Sequence, residues 1–145
     1  MEKTDRQILR LLSGDGRMSY TDLGKATGLS TSAVHQRVKR LEERGLITGY
    51  GAAIDHHKAG RPLTAFISIT PIDPSAADDY PDRLAVIDEI ESCWSVAGEE
   101  SYILKVRVAV PTDLEELLAR IRSVANVSTR TTIVLSTPYE NRPLP

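Results

Sequence analysis

Apolar positions recur with a helical period over the first 45 residues and with a strand period over much of the remainder. Between residues 4 and 14, Ile8, Leu11 and Leu12 fall on one face of a helix. Thr4 and Gln7 have the spacing of a capping box, in which each side chain bonds the other's backbone. The pattern therefore predicts a first helix over residues 4–14.

Residues 18–46 predict two further helices joined by a tight turn. Ser19 and Asp22 form a second capping-box spacing at the start of the first of these helices. Gly28 can turn the chain at low steric cost, and Ser30 can cap the helix that follows. With the helix before them, they form a three-helix unit of the helix-turn-helix type.

The last of these three helices has two unlike sides. Val34, Val38 and Leu41 form a short apolar seam at i, i+4 and i+7. The remaining positions offer hydroxyl, amide and basic groups, which suit a helix that enters the DNA major groove. An ordinary solvated helix face is the alternative interpretation. The predicted DNA-binding residues are Ser30, Thr31, Ser32, His35, Gln36, Arg37, Lys39 and Arg40, with Arg37, Lys39 and Arg40 expected on phosphates.

The segment after these helices predicts a boundary between two domains. Residues 46–54 carry Gly49 and Gly51 and suggest a short strand or wing. Residues 55–62 are polar, with glycine and proline late in the run, which is typical of a linker. We expect a DNA-binding domain over residues 1–60 and a second domain over residues 63–145.

The second domain alternates strands and helices. The predicted elements are a strand over 63–70, a helix over 80–89, strands over 90–97 and 102–110, a helix capped by Thr112 with Glu115, and a strand over 127–135. This order is the split-βαβ, ferredoxin-like pattern, so the fold class is α+β: a winged helix-turn-helix followed by a ferredoxin-like βαββαβ domain. Helices cover one face of such a sheet, and Phe66 and Trp94 are available to the other. A homodimer through that face is the expectation.

The N-terminal part of the chain has an excess of basic side chains, and the remainder has an excess of acidic ones. Residues 1–60 carry ten basic and seven acidic side chains, whereas residues 61–145 carry eight basic and thirteen acidic ones. The asymmetry favours a basic arm for nucleic acid, but the overall net charge of −2 means that strong DNA binding needs association of chains. The chain has one cysteine, no apolar run of membrane-spanning length and no signal-peptide pattern, so we expect a cytoplasmic protein without membrane contact.

The sequence offers little enzyme chemistry. His56 and His57 are adjacent on the predicted linker, without cysteine or carboxylate at a zinc-site spacing, so no metal is expected. Phosphate-binding loops, nucleophile elbows and dinucleotide fingerprints do not occur, and Cys93 lacks an evident activating base. We expect no cofactor and no catalytic residues.

Short motifs in order along the chain carry a family resemblance. They are Asp5-Arg-Gln-Ile-Leu9, Asp15-Gly-Arg17, Gly28-Leu-Ser-Thr-Ser-Ala-Val34, Arg37-Val-Lys-Arg-Leu-Glu-Glu-Arg-Gly-Leu-Ile47, Tyr102-Ile-Leu-Lys-Val and Arg130-Thr-Thr-Ile-Val-Leu135. In this order the chain resembles the leucine-responsive/asparagine regulators (Lrp/AsnC, the feast/famine family). Glu91-Ser-Cys-Trp-Ser-Val-Ala-Gly-Glu-Glu-Ser-Tyr102 brings it nearest to the actinobacterial branch.

The resemblance implies a transcription factor whose second domain pairs chains and binds a small-molecule effector, often an amino acid. It also implies further assembly of dimers, to tetramers or octamers, with the effector near the turn between the second and third strands. In this chain Gly98 would let a ligand approach the turn amides, and Glu99 and Glu100 could accept bonds from an ammonium group. Ser101 stands where the family often has an aspartate. The predicted effector residues are Gly98, Glu99, Glu100, Ser101, Thr129 and Thr131.

Three alternatives stay open at this point. In the first, the turn is a simple hairpin whose glutamates only face water. Some proteins of this two-domain look are tetrapyrrole-modifying decarboxylases, in which a basic recognition face should be lost and histidines gained in the second domain. This chain keeps that face, and its three histidines all precede residue 63. A ligand-binding module without DNA function is the third alternative, and the retained helix-turn-helix argues against it.

Overall fold

The computed structural model describes all 145 residues, and they form two compact units. One unit contains residues Met1–Ala53 together with Pro138–Pro145, and the other contains Ile54–Thr137. The placement of the last eight residues beside the N-terminal helices has no counterpart in the sequence pattern. No helix has the length and apolar character needed to cross a membrane.

Three helices form the N-terminal unit: α1 (Lys3–Gly14), α2 (Tyr20–Thr27) and α3 (Thr31–Glu43). Their buried side chains make one small core of Ile8, Leu9, Leu23, Val34, Val38 and Leu41. The predicted seam on α3 is confirmed, since Val34 and Val38 are fully buried and Leu41 is 2% exposed. The packing of this seam leaves the opposite side of α3 in solvent.

The predicted serine caps at the starts of α2 and α3 are confirmed. Ser19 Oγ accepts a hydrogen bond from the Asp22 amide at 3.0 Å, and Ser30 Oγ accepts one from the Ala33 amide at 3.2 Å. Gly28 ends α2 in the left-handed region with φ 76°, where a side chain would be strained. Gly28 therefore ends α2 and the Ser30 cap begins α3 within one short turn.

The N-terminus of α1 differs from the prediction. The helix begins at Lys3, and its N-cap residue Glu2 makes no side-chain cap. Gln7 Nε2 instead donates to the Ala26 carbonyl oxygen at 3.0 Å, so it ties α1 to the end of α2. The predicted Thr4–Gln7 capping box is wrong because a tertiary acceptor takes the Gln7 side chain.

The predicted strand or wing over residues 46–54 does not form a strand. The four strands of the chain all lie between residues 63 and 133, and none pairs with this segment. A β-strand requires a hydrogen-bonded neighbouring strand, so the backbone of residues 46–54 has no regular secondary structure.

The C-terminal unit has the predicted ferredoxin-like order. Its elements are β1 (Leu63–Pro71), α4 (Tyr80–Leu84), β2 (Ile90–Ser95), β3 (Tyr102–Val108), α5 (Pro111–Ala125) and β4 (Val127–Ile133). The sheet order is β2-β3-β1-β4, and every neighbouring pair is antiparallel. β1 and β3 are therefore central, whereas β2 and β4 are the edges.

One face of the sheet holds the core of this unit. Ile67 and Leu104 are fully buried there, together with Leu117 and Ile121 of α5. The predicted alternation of β3 is confirmed, because every second residue from Tyr102 to Val108 is buried. The helices thus cover one face and leave the other without cover in this chain.

That other face carries an aromatic pair and a charged cluster. The Phe66 and Trp94 rings stack with centroids 6.4 Å apart, and Trp94 is 46% exposed. Beside them Glu91 pairs with Lys105 Nζ at 3.5 Å and with Arg107 Nε at 3.3 Å. We call this surface the open face.

The ends of several elements fall short of their predicted bounds. α4 spans five residues rather than ten, and Leu84 and Ile87 are both buried, as expected, through two successive turns. β2, β3 and β4 each end two residues early. Pro111 begins α5, and its N-cap Val110 has no side-chain bond, so the predicted Thr112–Glu115 cap is wrong. Proline suits the first turn of a helix because its missing N–H would be unpaired there.

Candidate nucleic-acid interface and effector cavity

The solvent side of α3 gathers most of the residues predicted to bind DNA. Those exposed are Ser30, Thr31, Ser32, His35, Gln36, Lys39 and Arg40. They lie opposite Val34 and Val38, so the core packing of α3 determines which side chains face outward. The helix offers hydroxyl, imidazole, amide and two cationic groups along one surface, which are the donors and acceptors used on base edges and phosphates.

Two local contacts position this surface. The His35 ring meets the Tyr20 ring edge-to-face, with centroids 5.3 Å apart. Ser30 Oγ lies 3.2 Å from Ser32 Oγ. The Lys39–Glu43 pair at 3.9 Å is well exposed on both sides, and such pairs contribute little, so Lys39 remains available to a phosphate.

Arg37 lies on a different side of α3. One terminal guanidinium nitrogen is 2.8 Å from Glu2 Oε2 and 3.0 Å from Asp5 Oδ1, and the side chain is 22% exposed. These two carboxylates hydrogen-bond Arg37 and raise its pKa. Arg37 follows Val34 by three residues, which places both on the same helix face. Arg37, predicted on a phosphate, instead ties α3 to α1.

An open cavity of about 120 Å³ lies beside the turn between β2 and β3. Its lining residues are Ser68, Thr70, Glu99, Glu100, Ser128, Thr129 and Arg130. Of the predicted effector residues, Glu99, Glu100 and Thr129 are therefore brought together. Thr131, Gly98 and Ser101 do not line it.

The strand parity of β4 explains why Ser128 and Arg130 line the cavity on either side of Thr129. Val127 is fully buried in the core, so Thr129 and Thr131 point toward the helices. Thr129 Oγ1 accepts a bond from Arg122 of α5 at 3.4 Å. Ser128 and Arg130 point to the open face, where β1 adds Ser68 and Thr70. These four residues were missed by the sequence analysis, although the buried Val127 is a signal that could have indicated the face.

The turn itself is fixed by backbone bonds. The Ser101 amide donates to the Ile69 carbonyl oxygen at 3.0 Å, so Ser101 anchors the turn to β1. Gly98 does not adopt a positive φ, and a Cβ there would meet only the Glu100 carboxyl group, with Oε1 at 3.5 Å. Gly98 therefore leaves room beside Glu100 rather than serving a strained turn.

Opposite charges meet across this cavity. Arg130 and Glu99 form an ion pair of 3.8 Å, with their side chains 80% and 92% exposed. A pair so exposed is weak, and both groups can turn to another partner. A guanidinium facing carboxylates across a small cavity can receive a carboxylate and an ammonium of one ligand.

The remaining reactive side chains do not form a catalytic arrangement. The structure groups no three histidine, cysteine or carboxylate side chains so that they could hold a metal ion. Partial desolvation raises the pKa of Cys93, which disfavours its thiolate, the nucleophilic form of cysteine. The chemistry of this chain lies in hydrogen-bonding and charged surfaces.

A helix-turn-helix with an exposed polar recognition helix, joined to a ferredoxin-like unit, defines a DNA-binding regulator with a ligand domain. Residues 1–48 match the family model for a winged helix-turn-helix DNA-binding domain, and residues 64–144 match the Lrp/AsnC ligand-binding domain. The chain belongs to the Lrp/AsnC family of transcriptional regulators.

Relatives match along nearly the whole chain. The HTH-type transcriptional regulator LrpA of Mycobacterium tuberculosis is 54% identical over 98% of this chain and 95% of its own length. The leucine-responsive regulatory protein of Escherichia coli K12 is 36% identical over 93% of this chain and 85% of its own.

Solved structures agree with the fold. A feast or famine regulatory protein from M. tuberculosis, complexed with L-methionine, has a TM-score of 0.95 at 53% identity, covering 99% of this chain and 97% of that one. A transcriptional regulator from Neisseria meningitidis, also complexed with L-methionine, has a TM-score of 0.92 at 25% identity, covering 100% and 96%.

Proposed function

We propose that this chain is a homodimeric regulator whose affinity for DNA changes when an amino acid binds the cavity beside the β2–β3 turn. The observation that carries the proposal is the cavity that holds Arg130 opposite Glu99 and Glu100, in the same chain as an exposed recognition helix. We propose that Ser32, His35 and Gln36 read base edges and that Lys39 and Arg40 hold phosphates.

The effector follows from the charges of the cavity. Arg130 would bind the carboxylate of an amino acid, and Glu99 or Glu100 its ammonium group. Hydroxyl groups of Ser68 and Ser128 would complete the contacts. Two structurally similar regulators were solved with L-methionine, which supports an amino acid as the effector class and makes L-methionine the first ligand to test.

The dimer follows from the open face. Stacked Phe66 and Trp94 leave apolar surface in solvent, and such surface is typical of an interface. A symmetric pair places two recognition helices on one DNA duplex, so two modest basic surfaces act together. Assembly of dimers into tetramers or octamers stays a prediction from the family resemblance.

The regulator interpretation is favoured over the two rivals. The relatives are named as transcriptional regulators, which supports a protein without enzyme activity rather than a tetrapyrrole-modifying decarboxylase. The helix-turn-helix family match supports DNA binding rather than a ligand module alone. A regulator acts where the DNA lies, so we propose a cytoplasmic protein.

Calorimetry on Arg130→Gln tests the effector site. We expect wild-type protein to bind L-methionine and Arg130→Gln to bind it at least tenfold more weakly, because the carboxylate loses its cation. Arg122→Gln is the matched control: it removes the same charge on the helix side of β4, where it contacts Thr129, and binding should change less than twofold.

Two results would contradict the site. Absence of heat from all twenty amino acids with wild-type protein would remove the effector proposal. Equal weakening by Arg122→Gln and Arg130→Gln would mean that the ligand binds on the helix side of the sheet, or that both changes act through folding.

Light scattering over a range of concentrations tests the dimer. Trp94→Ala should raise the dimer dissociation constant at least tenfold, because buried tryptophans are frequent anchors of interfaces. Val86→Ala is the control, since Val86 is 75% exposed and lies in the turn between α4 and β2, outside the open face. A wild-type monomer at micromolar concentration would disprove the dimer.

A further inference from the structure

Residues 138–145, here called the strap, return the chain from the sheet unit to the N-terminal helices. We propose that the strap docks on α1 of its own chain and couples the effector cavity to the DNA-binding unit. The docking stands on contacts alone. The coupling rests on the proposed function, since it requires an effector at β4.

The strap meets the last turn of α1 in two places. The Leu144 amide donates to Ser13 Oγ at 3.0 Å, and that hydroxyl donates to the Arg10 carbonyl oxygen at 2.8 Å. A Cβ placed on Gly14 would lie 3.2 Å from Pro143 Cγ, tighter than nine in ten real Cβ contacts. The missing side chain at Gly14 therefore makes room for Pro143.

A groove continues along this contact. It has a volume of about 410 Å³ and is lined by Arg10, Leu11 and Gly14 on α1 and by residues 142–145 of the strap. Leu11 supplies an apolar wall, and Leu144 is half exposed above it. Apolar side chains of both α1 and the strap therefore contribute to the walls of this groove.

The strap has few conformations to lose on docking. Pro138, Pro143 and Pro145 restrict the backbone of a segment of eight residues. The Arg142 guanidinium lies 4.1 Å from the centre of the Tyr139 ring, and Asn141 bends the chain between them with φ 53°. A segment that is restrained before docking loses less entropy when it docks, so few contacts suffice.

The strap also continues a structural path from the cavity. Ser128 and Arg130 line the cavity on β4, and the chain reaches Pro138 shortly after that strand ends. At the other end, Asp5 of the docked helix α1 and Glu2, which directly precedes that helix, hold Arg37 of α3. The chain therefore passes between its two units twice, once near residue 53 and once near residue 138. The segment that follows β4 therefore connects the strand that lines the cavity to α1, which contacts the recognition helix α3.

Cross-linking tests the docking without any ligand. Arg10→Cys and Leu144→Cys, at two residues that line the groove and leave Ser13 unchanged, are combined with Cys93→Ser, and a short bismaleimide is added to the full-length protein. We expect a cross-link within one chain, seen as a monomer-sized product by mass spectrometry. Adding Gly14→Val should lower its yield at least tenfold, because the valine occupies the place of Pro143.

Gly49→Val is the matched control for that substitution. Gly49 has open space around its Cβ position and no positive φ, so the yield should not change. No cross-link in the parent variant, or an unchanged yield with Gly14→Val, overturns the docking. Products that join two copies only would show that the strap is exchanged between chains, which overturns docking within one chain.

The coupling is tested in otherwise wild-type protein by the DNA dissociation constant with and without L-methionine. We expect Gly14→Val to reduce the methionine-induced change at least threefold, whereas its affinity for DNA without ligand stays within twofold of wild type. Gly49→Val should keep the full response. Couplings of this kind commonly amount to 5–150-fold in affinity, so a threefold loss is measurable.

Equal responses of wild type and Gly14→Val overturn the coupling and leave the effector function intact. A wild-type protein that binds L-methionine but whose DNA affinity does not change overturns both the coupling and the proposed regulation. The cross-linking result decides the docking in either case.

Discussion

Leu104→Ala should destabilise the sheet unit by about 2–5 kcal/mol, the range for removing a large aliphatic side chain from a packed core. Leu104 is fully buried on β3, a central strand with β2 on one side and β1 on the other. The substitution leaves a cavity against the helices that the sheet cannot close without moving its ladder. Urea unfolding followed by the fluorescence of Trp94 measures the change in the free energy of unfolding.

Leu135→Ala is the matched control, because Leu135 is 95% exposed beyond the end of β4. The same chemical change should alter stability by no more than about 0.5 kcal/mol at such a position. Similar losses in the two variants would contradict the assigned core.

The double variant Gln36→Ala/Lys39→Ala should lose affinity for its operator by well over tenfold. Loss of a base contact by Gln36 accounts for about 1–3 kcal/mol and relaxes specificity at one position. Loss of Lys39 weakens binding to all sequences and lowers the slope of log affinity against log salt by about one. Both side chains are exposed on α3, so neither substitution disturbs the core.

Fluorescence anisotropy with a labelled operator, at several salt concentrations, separates the two contributions. Lys58→Ala is the control for the charge change, since Lys58 is exposed and lies outside the helical unit. Full affinity in the double variant would show that α3 is not the recognition helix.

Much of the architecture was predictable because it depends on local patterns. Apolar periodicity located all three N-terminal helices, and the serine caps at Ser19 and Ser30 were visible as sequence. The alternation of β3 predicted its buried face. Each of these features is decided by residues within a few positions of one another.

The wrong predictions concern residues whose contacts are made with groups far away in the sequence. Gln7 was expected to cap its own helix, but the Ala26 carbonyl oxygen lies within reach in the folded unit. Arg37 was expected to face DNA, and the carboxylates of Glu2 and Asp5 hold it on the core side. The residues between 46 and 54 had strand character but no neighbouring strand. A single sequence read by periodicity does not contain these long-range pairings.

The region proposed to bind the effector was located by family resemblance, and the cavity lining required the structure. Glu99 and Glu100 of the predicted turn line this cavity, and effector binding by them stays a prediction. On β4, Thr129 lines the cavity but Thr131 does not, because the threonines were chosen by their hydroxyl groups rather than by the parity set by Val127. A shift by one residue exchanges the two faces of a strand, so Arg130 and Ser128 were missed.

In the proposed homodimer, Glu91 would reduce electrostatic repulsion between the two copies of the open face. In a two-fold symmetric pair each surface meets a second copy of itself, so a patch of uncompensated charge would face the same charge near the axis. Lys105 and Arg107 both lie on the open face, and Glu91 of the same sheet pairs with each of them. The carboxylate removes part of the repulsion that two such cationic patches would create on meeting. A related chain that lacked an acid at this position would present unmatched positive charge, and mixed pairs would be disfavoured relative to pairs of this chain with itself.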